Sequence, residues 1–169
     1  NPPVVRYARL DGAAWRAGVN ARDELLALDG NRIGTNAAGT AALPNGKHGV
    51  LVDDGADETR IGSGVSGARN LISGHSLSGI SFSDAGTGNV VQGNYIGTGI
   101  SGAVALGNAG NSGELSAGIL IYDNGGSQVL VGTGGGGESD TAEGNLSSGN
   151  LQSGIVIAGG SASSGGHII

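Results

Sequence analysis

The string Gly30-Asn31-Arg32-Ile33-Gly34-Thr35 returns 63 residues later as Gly93-Asn94-Tyr95-Ile96-Gly97-Thr98. Each copy runs on into a related tail, Gly39-Thr40-Ala41-Ala42-Leu43-Pro44-Asn45 and Gly102-Ala103-Val104-Ala105-Leu106-Gly107-Asn108. Spacing held over so many positions means that one local structure forms more than once. Such units bury their apolar faces against each other, so the fold is built by stacking.

The composition says what the stack is made of. Glycine supplies 37 of 169 residues, yet 37% of the chain is hydrophobic and only 13% is charged, which fits neither a collagen repeat nor a disordered acidic tail. The glycines therefore punctuate apolar segments. Cysteine and methionine are absent and aromatic residues number five, so the core is aliphatic and has no disulfide, thiolate metal site or cysteine nucleophile. All eight Lys and Arg lie at or before Arg69, and the rest of the chain carries six acids and no base. A surface of that sign repels phosphate, which excludes nucleic acid as a partner. No apolar run approaches the roughly 20 residues that cross a bilayer, and Asn1-Pro2-Pro3 does not open a signal peptide. The missing initiator methionine leads us to expect a fragment of a longer exported chain.

Short β-branched runs recur behind glycine at Gly49-Val50-Leu51-Val52, Gly79-Ile80-Ser81-Phe82, Gly118-Ile119-Leu120-Ile121 and Gly154-Ile155-Val156-Ile157. Alternation puts Val50 and Val52, Ile80 and Phe82, Ile119 and Ile121, and Ile155 and Ile157 on one inward face. A second strand type ends Thr59-Arg60-Ile61-Gly62 and Val129-Leu130-Val131-Gly132, with Ile61 and Val131 inward. A third is read at Asn70-Leu71-Ile72-Ser73-Gly74-His75, Asn89-Val90-Val91-Gln92-Gly93-Asn94 and Asn145-Leu146-Ser147-Ser148-Gly149-Asn150. Three short strands per turn, cornered by glycine or asparagine, predict an all-β fold: a right-handed parallel β-helix solenoid of about four incomplete three-strand coils. Asparagine suits a repeated corner because it tolerates left-handed backbone and bonds to the same amide one coil away. His75 falls in this reading at the corner held by Asn94 and Asn150. Long and short connections alternate, so the true unit is two coils, with the long loops expected on one side.

These residues resemble the right-handed parallel β-helix repeats of large secreted or surface proteins of bacteria, over about residues 30–169. The matched line is Asn-x-Ile-Gly-Thr, then Gly-x-x-Ala-Leu-x-Asn, a Gly-Val or Gly-Ile strand, and Asn-Leu-Ile-Ser-Gly-Asn, with His75 its one corner departure. The resemblance implies an extracellular or cell-surface location. The wider superfamily includes pectate lyases and polygalacturonases, so fold alone leaves function open.

Residues 1–30 differ in texture and form a short α/β, cap-like segment ahead of the repeats at 31–169. Val4 to Leu10 reads as a strand, Ala13 to Gly18 as a helical turn, and Glu24 to Gly30 as a strand ending in a turn. The pieces Asp11-Gly12-Ala13-Ala14-Trp15-Arg16-Ala17-Gly18-Val19 and Arg22 to Ile33 resemble the middle of a bacterial PDZ module, across residues 4–33. The carboxylate loop and groove helix that hold a peptide terminus in such modules are not in this chain. Natural fusion, cap and mistaken joining of two genes are the three readings of the seam.

Candidate chemistry is sparse. Asp53, Asp54 and His75 resemble the adjacent aspartates and Gly-His element of polygalacturonases, where paired carboxylates divide general acid and water-activating roles. The further acid expected one coil earlier falls near Arg32, and no Arg-x-Lys element follows, so a corner role is preferred for His75. Asp53, Asp54, Asp57 and Glu58 with Arg60 or Arg69 offer the groups of a calcium-dependent lyase, but they crowd one loop and read first as a solvated acidic turn. Glu138, Asp140 and Glu143 offer hard oxygen ligands to calcium, the one cofactor considered. Tyr95 and Tyr122 are candidate sugar-stacking faces, read first as ordinary surface residues. The function expected is a non-catalytic structural or adhesive segment of a larger protein, touching carbohydrate or a surface protein through its long loops. A polysaccharide lyase or hydrolase and a PDZ-containing protease accessory are the alternatives.

Overall fold

A computed structural model of the chain describes residues 27–28, 30–65, 67–111, 113–123, 125–134 and 140–159. The strand and helical turn read before Ala27 lie outside the described residues. Twelve strands are described: β1 (Ala27–Leu28), β2 (Arg32–Ile33), β3 (Val50–Asp53), β4 (Arg60–Ile61), β5 (Leu71–Ile72), β6 (Ile80–Ser83), β7 (Asn89–Val91), β8 (Tyr95–Ile96), β9 (Ala117–Tyr122), β10 (Val129–Val131), β11 (Leu146–Ser147) and β12 (Ser153–Ala158). One four-residue helix, α1 (Asp140–Glu143), accompanies them.

Every strand pairs in parallel with the strand three places on. The first sheet runs β1-β4-β7-β10, the second β2-β5-β8-β11 and the third β3-β6-β9-β12. Each consecutive triplet of strands thus gives one strand to each sheet. Strands of two to six residues have few ladder bonds of their own, and register is held by matching apolar columns. Val50, Ile80, Ile119 and Ile155 form one column, and Val52, Phe82, Ile121 and Ile157 the next. Ile61, Val91 and Val131 line the first sheet, and Ile33, Ile72 and Ile96 the second. In the two middle triplets these side chains are fully buried. The inward assignments from alternation therefore hold.

Two ladders of polar side chains run beside the columns. Between first and second sheets, Asn31 donates from its amide and backbone N–H to Asn70 Oδ1, Asn70 Nδ2 donates to Asn94 Oδ1 at 2.8 Å, and Asn94 donates to Asn145 Oδ1 at 3.0 Å. Asn94 Nδ2 also reaches back to the Ile61 carbonyl, and Asn145 Nδ2 to that of Val91. Between second and third sheets stand Asn45, His75, Asn108 and Asn150. Asn94 and His75 thus belong to different corners, which corrects the expectation that they share one. The grouping of Asn89 to Gln92 with the third strand type is corrected too. Those residues pair with Arg60 and Leu130 in the first sheet, while Tyr95 and Ile96 partner Leu71 and Ile72. An Asn before two β-branched or aliphatic residues marks both positions, so the letters alone do not separate them.

The alternation of connection lengths is present, but the long segments are not on one side. Residues 34–49 and 97–116 connect second to third sheets, and residues 62–70 and 132–145 connect first to second. The first pair are small hairpins, closed by antiparallel bridges Thr35 to Ala42 and Thr98 to Ala105. They lie against the outside of the second sheet and touch each other, Ile100 N–H donating to the Gly39 carbonyl at 2.9 Å. Leu71 faces outward in register with exposed Arg32, yet is only 1% exposed. A Cβ on Gly39 would stand 2.8 Å from its Cδ2, so the hairpin covers it at that glycine. The recurring line of the sequence encodes this cover.

Asn94 is wholly buried and spends its amide on three acceptors. Replacing it by alanine removes its bonds to the Ile61, Gln92 and Asn145 oxygens and the one it accepts from Asn70 Nδ2, and is expected to lower the unfolding free energy by about 3 kcal/mol. Urea titration against the exposed-site variant Thr40→Ala checks this.

Candidate functional site

The outward residues of the third sheet make the floor of a shallow groove. Leu51 and Asp53 of β3, Ser81 and Ser83 of β6, and Leu120 and Tyr122 of β9 alternate with the buried columns and so face away from the core. His48, from the end of the connection 34–49, and Glu114 with Leu115, from the connection 97–116, complete a cavity of about 440 Å³. Sheet and long connections therefore meet here. Leu51 and Leu115 are 48% and 53% exposed and Tyr122 is 40% exposed, giving apolar walls around the Asp53 and Glu114 carboxylates. Burial, and then Lys47, lower the His48 pKa from its ordinary value, while Glu114 acts in the opposite sense. Such a surface offers carboxylate acceptors, hydroxyls and one aromatic ring to a polar ligand that lies along the sheet.

Of the candidates read from sequence, Asp53 and Tyr122 line this groove. Asp54 sits one residue on in a tight turn at φ 53°, exposed to solvent. Asp57 has a structural task, accepting from the Thr87 N–H and hydroxyl of the next triplet's turn. Arg60 faces outward on β4. Arg69 stacks over the Tyr95 ring at 4.0 Å and donates to the Gly93 carbonyl at 3.1 Å, so both side chains belong to the outer cover of the second sheet. Glu138 lies outside the described residues. Asp140 opens α1 and Glu143 closes it, the Glu143 carbonyl accepting from Gly93 N–H at 2.8 Å. Among the described residues no group of three or more His, Cys, Asp or Glu side chains is placed to hold a metal ion.

His75 is 1% exposed, in the second ladder. Its Nδ1 accepts from Asn45 N–H at 3.2 Å, and its own N–H donates to Asn108 Oδ1 at 3.1 Å. The accepting Nδ1 leaves the ring proton on Nε2, packed against Gly49, where a Cβ would stand 2.7 Å away. Asn108 and Asn150 use the same corner to donate to the Ile72 and Ile96 carbonyls. Burial drives the pKa of His75 down to about 4, only partly offset by the Ile33 carbonyl. The imidazole is a neutral ladder rung, and the groove and His75 are separate places. Sequence reading passed over His48, Glu114, Leu51 and Leu115; the signal available was the outward phase of Leu51 and Asp53, with no means of seeing which connection would fold beside it.

The chain was compared with protein families, curated proteins and solved structures, and no match was found in any of the three. Among the described residues, no helix is long and apolar enough to cross a membrane.

The depressed pKa has a testable sign. Between about pH 6.5 and pH 4 the unfolded chain binds a proton at residue 75 that the folded chain refuses, so stability falls as pH falls through that window and is level above it. The loss reaches about 3 kcal/mol between pH 7 and pH 4. His75→Asn restores an amide rung able to reach the Ile33 carbonyl, and denaturant titrations across pH are expected to show that part of the slope gone.

Proposed function

We propose that the described residues are four coils of a right-handed parallel β-helix, each triplet being one coil. The three-apart pairing, parallel throughout and in register, supports this, and right-handed crossover is the rule for parallel strands joined within one sheet. On that reading the chain is a structural and adhesive repeat segment of a larger bacterial protein, secreted or held at the cell surface. Its task is to hold binding surfaces in a fixed, stiff array. The observation that carries it is the employment of His75, the leading candidate for chemistry, as a ladder rung. Partner contact falls to the groove of the third sheet, where the long connections bring Glu114 and Leu115 beside Tyr122 and Asp53. A carbohydrate chain or an extended protein segment suits its mixture of carboxylates, hydroxyls and one ring.

A second reading is favoured by one feature of that groove. Asp53, Glu114 and His48 stand together on its lining, and two carboxylates with an imidazole are the groups of a polysaccharide hydrolase or lyase. The two readings separate on product. Incubation with pectin, alginate and related acidic polymers, with and without calcium, is expected to release neither reducing nor unsaturated ends; release that is lost in Asp53→Asn would establish the enzyme instead. Glycan-array binding that weakens several-fold in Tyr122→Ala is the positive result for adhesion.

A further inference from the structure

Of the four rungs in the second ladder, Asn45, His75, Asn108 and Asn150, only His75 can take up a proton. The bonding around its ring leaves no place for a second one. Nδ1 accepts from Asn45 N–H at 3.2 Å, so a proton on Nδ1 would face a donor. Nε2 is buried, makes no hydrogen bond, and is closed in by Gly34 and Gly49. The Ile33 carbonyl favours the charged ring but offsets only part of the cost of burying it. Charge on His48 acts in the same direction as burial, and His48 in turn is acted on by Lys47 and Glu114.

The two sides of the ring differ in what would have to move to let the charge reach water. The His75 backbone N–H is tied to Asn108, which is wholly buried. On the other side lies the end of the connection 34–49, exposed throughout from Ala41 to Lys47. That end is held along one strip. Besides the Asn45 bond, Ser76 Oγ donates to the Gly46 carbonyl at 3.1 Å, Leu77 N–H to the Lys47 carbonyl at 3.1 Å, and Gly49 N–H to the Ser78 carbonyl at 3.0 Å. Leu43, just before the strip, is 64% exposed, so hydrogen bonds and little apolar packing anchor this stretch.

We propose that His75 is an acid-operated latch, whose protonation releases residues 45–49 from residues 75–78 while the later triplets of strands stay folded. His48 belongs to the released segment and lines the groove of the third sheet, so release takes down part of the groove wall. The inference concerns what holds that wall and stands whatever the groove binds. The neighbouring rungs Asn108 and Asn150 do not titrate, which confines the release to the contact between first and second triplets. With the ring pKa at about 4 in place and 6.5 once released, each pH unit between those values favours the released form about tenfold.

Amide hydrogen exchange followed residue by residue in the intact chain, with rates corrected for the intrinsic effect of pH, tests this. Between pH 7 and pH 4 the N–H groups of Asn45, Gly49 and Leu77 are expected to lose protection by about a hundredfold or more, while those of β9 remain protected. His75→Asn is expected to hold the same three amides at one level across that range, and His48→Gln to leave the acid response in place. Should His75→Asn fail to fold, the ring nitrogen NMR shifts of wild-type His75 give a second reading: a neutral ring protonated at Nε2 at pH 7, gaining its second proton only as Asn45 N–H exchange rises. Equal loss of protection in β9 and in residues 45–49, unchanged protection of residues 45–49 at pH 4, or an acid response that survives in His75→Asn would overturn the proposal.

Discussion

The close approach of one triplet of strands to the next is the constraint on which everything else depends. Backbone groups pair between triplets, and the corners cannot turn without leaving carbonyls and N–H groups buried. Asparagine resolves this at two corners, because one amide can donate to a carbonyl of the previous triplet, donate again to the next asparagine, and accept from the last. An aliphatic corner would fill the space but offer no acceptor to the corner N–H groups of the neighbouring triplet, and a serine is too short to span the gap. Glycine does the complementary job where strands begin, since carbonyls of the next triplet stand where a Cβ would be.

This division of labour accounts for a composition that at first looks unsuited to folding. Glycine costs about 0.5 to 1 kcal/mol relative to alanine in unfolded-state entropy, and short strands carry little stability of their own. Shared columns of Ile, Val and Phe82 offset that cost only when triplets are stacked, which makes the chain cooperative along its axis. Ile155 and Ile157 continue buried columns and are themselves half-buried and exposed.

The outer surface follows a different logic. The hairpins that carry the recurring sequence line cover the second sheet, consuming Leu71, Tyr95 and Arg69 in packing, and the acidic turn after β3 spends Asp57 on the neighbouring turn. The third sheet, where the strands are longest, is covered only in part: Ser81 and Leu120 are buried, while Leu51 and Tyr122 stay exposed. A groove arises there from the length difference between sheet and cover, and its lining comes from connections separated in sequence by some sixty residues.

The sequence by itself determined most of the strands, though not Arg32–Ile33 and Tyr95–Ile96, with their inward faces and the alternation of long with short connections, because each depends on local patterns: β-branched residues with period two, glycine before a strand, asparagine at a corner. Tertiary structure alone decided which corner each asparagine serves, that Asn89 to Val91 joins the first sheet, and that the long segments alternate between two corners. It also decided that His75 is a buried rung and that His48, Asp53 and Glu114 share a groove. The physical reason is common to all of these. Register between triplets is set by long-range contact, and an Asn-Leu-Ile or Asn-Val-Val string reads alike until the column into which it fits is known.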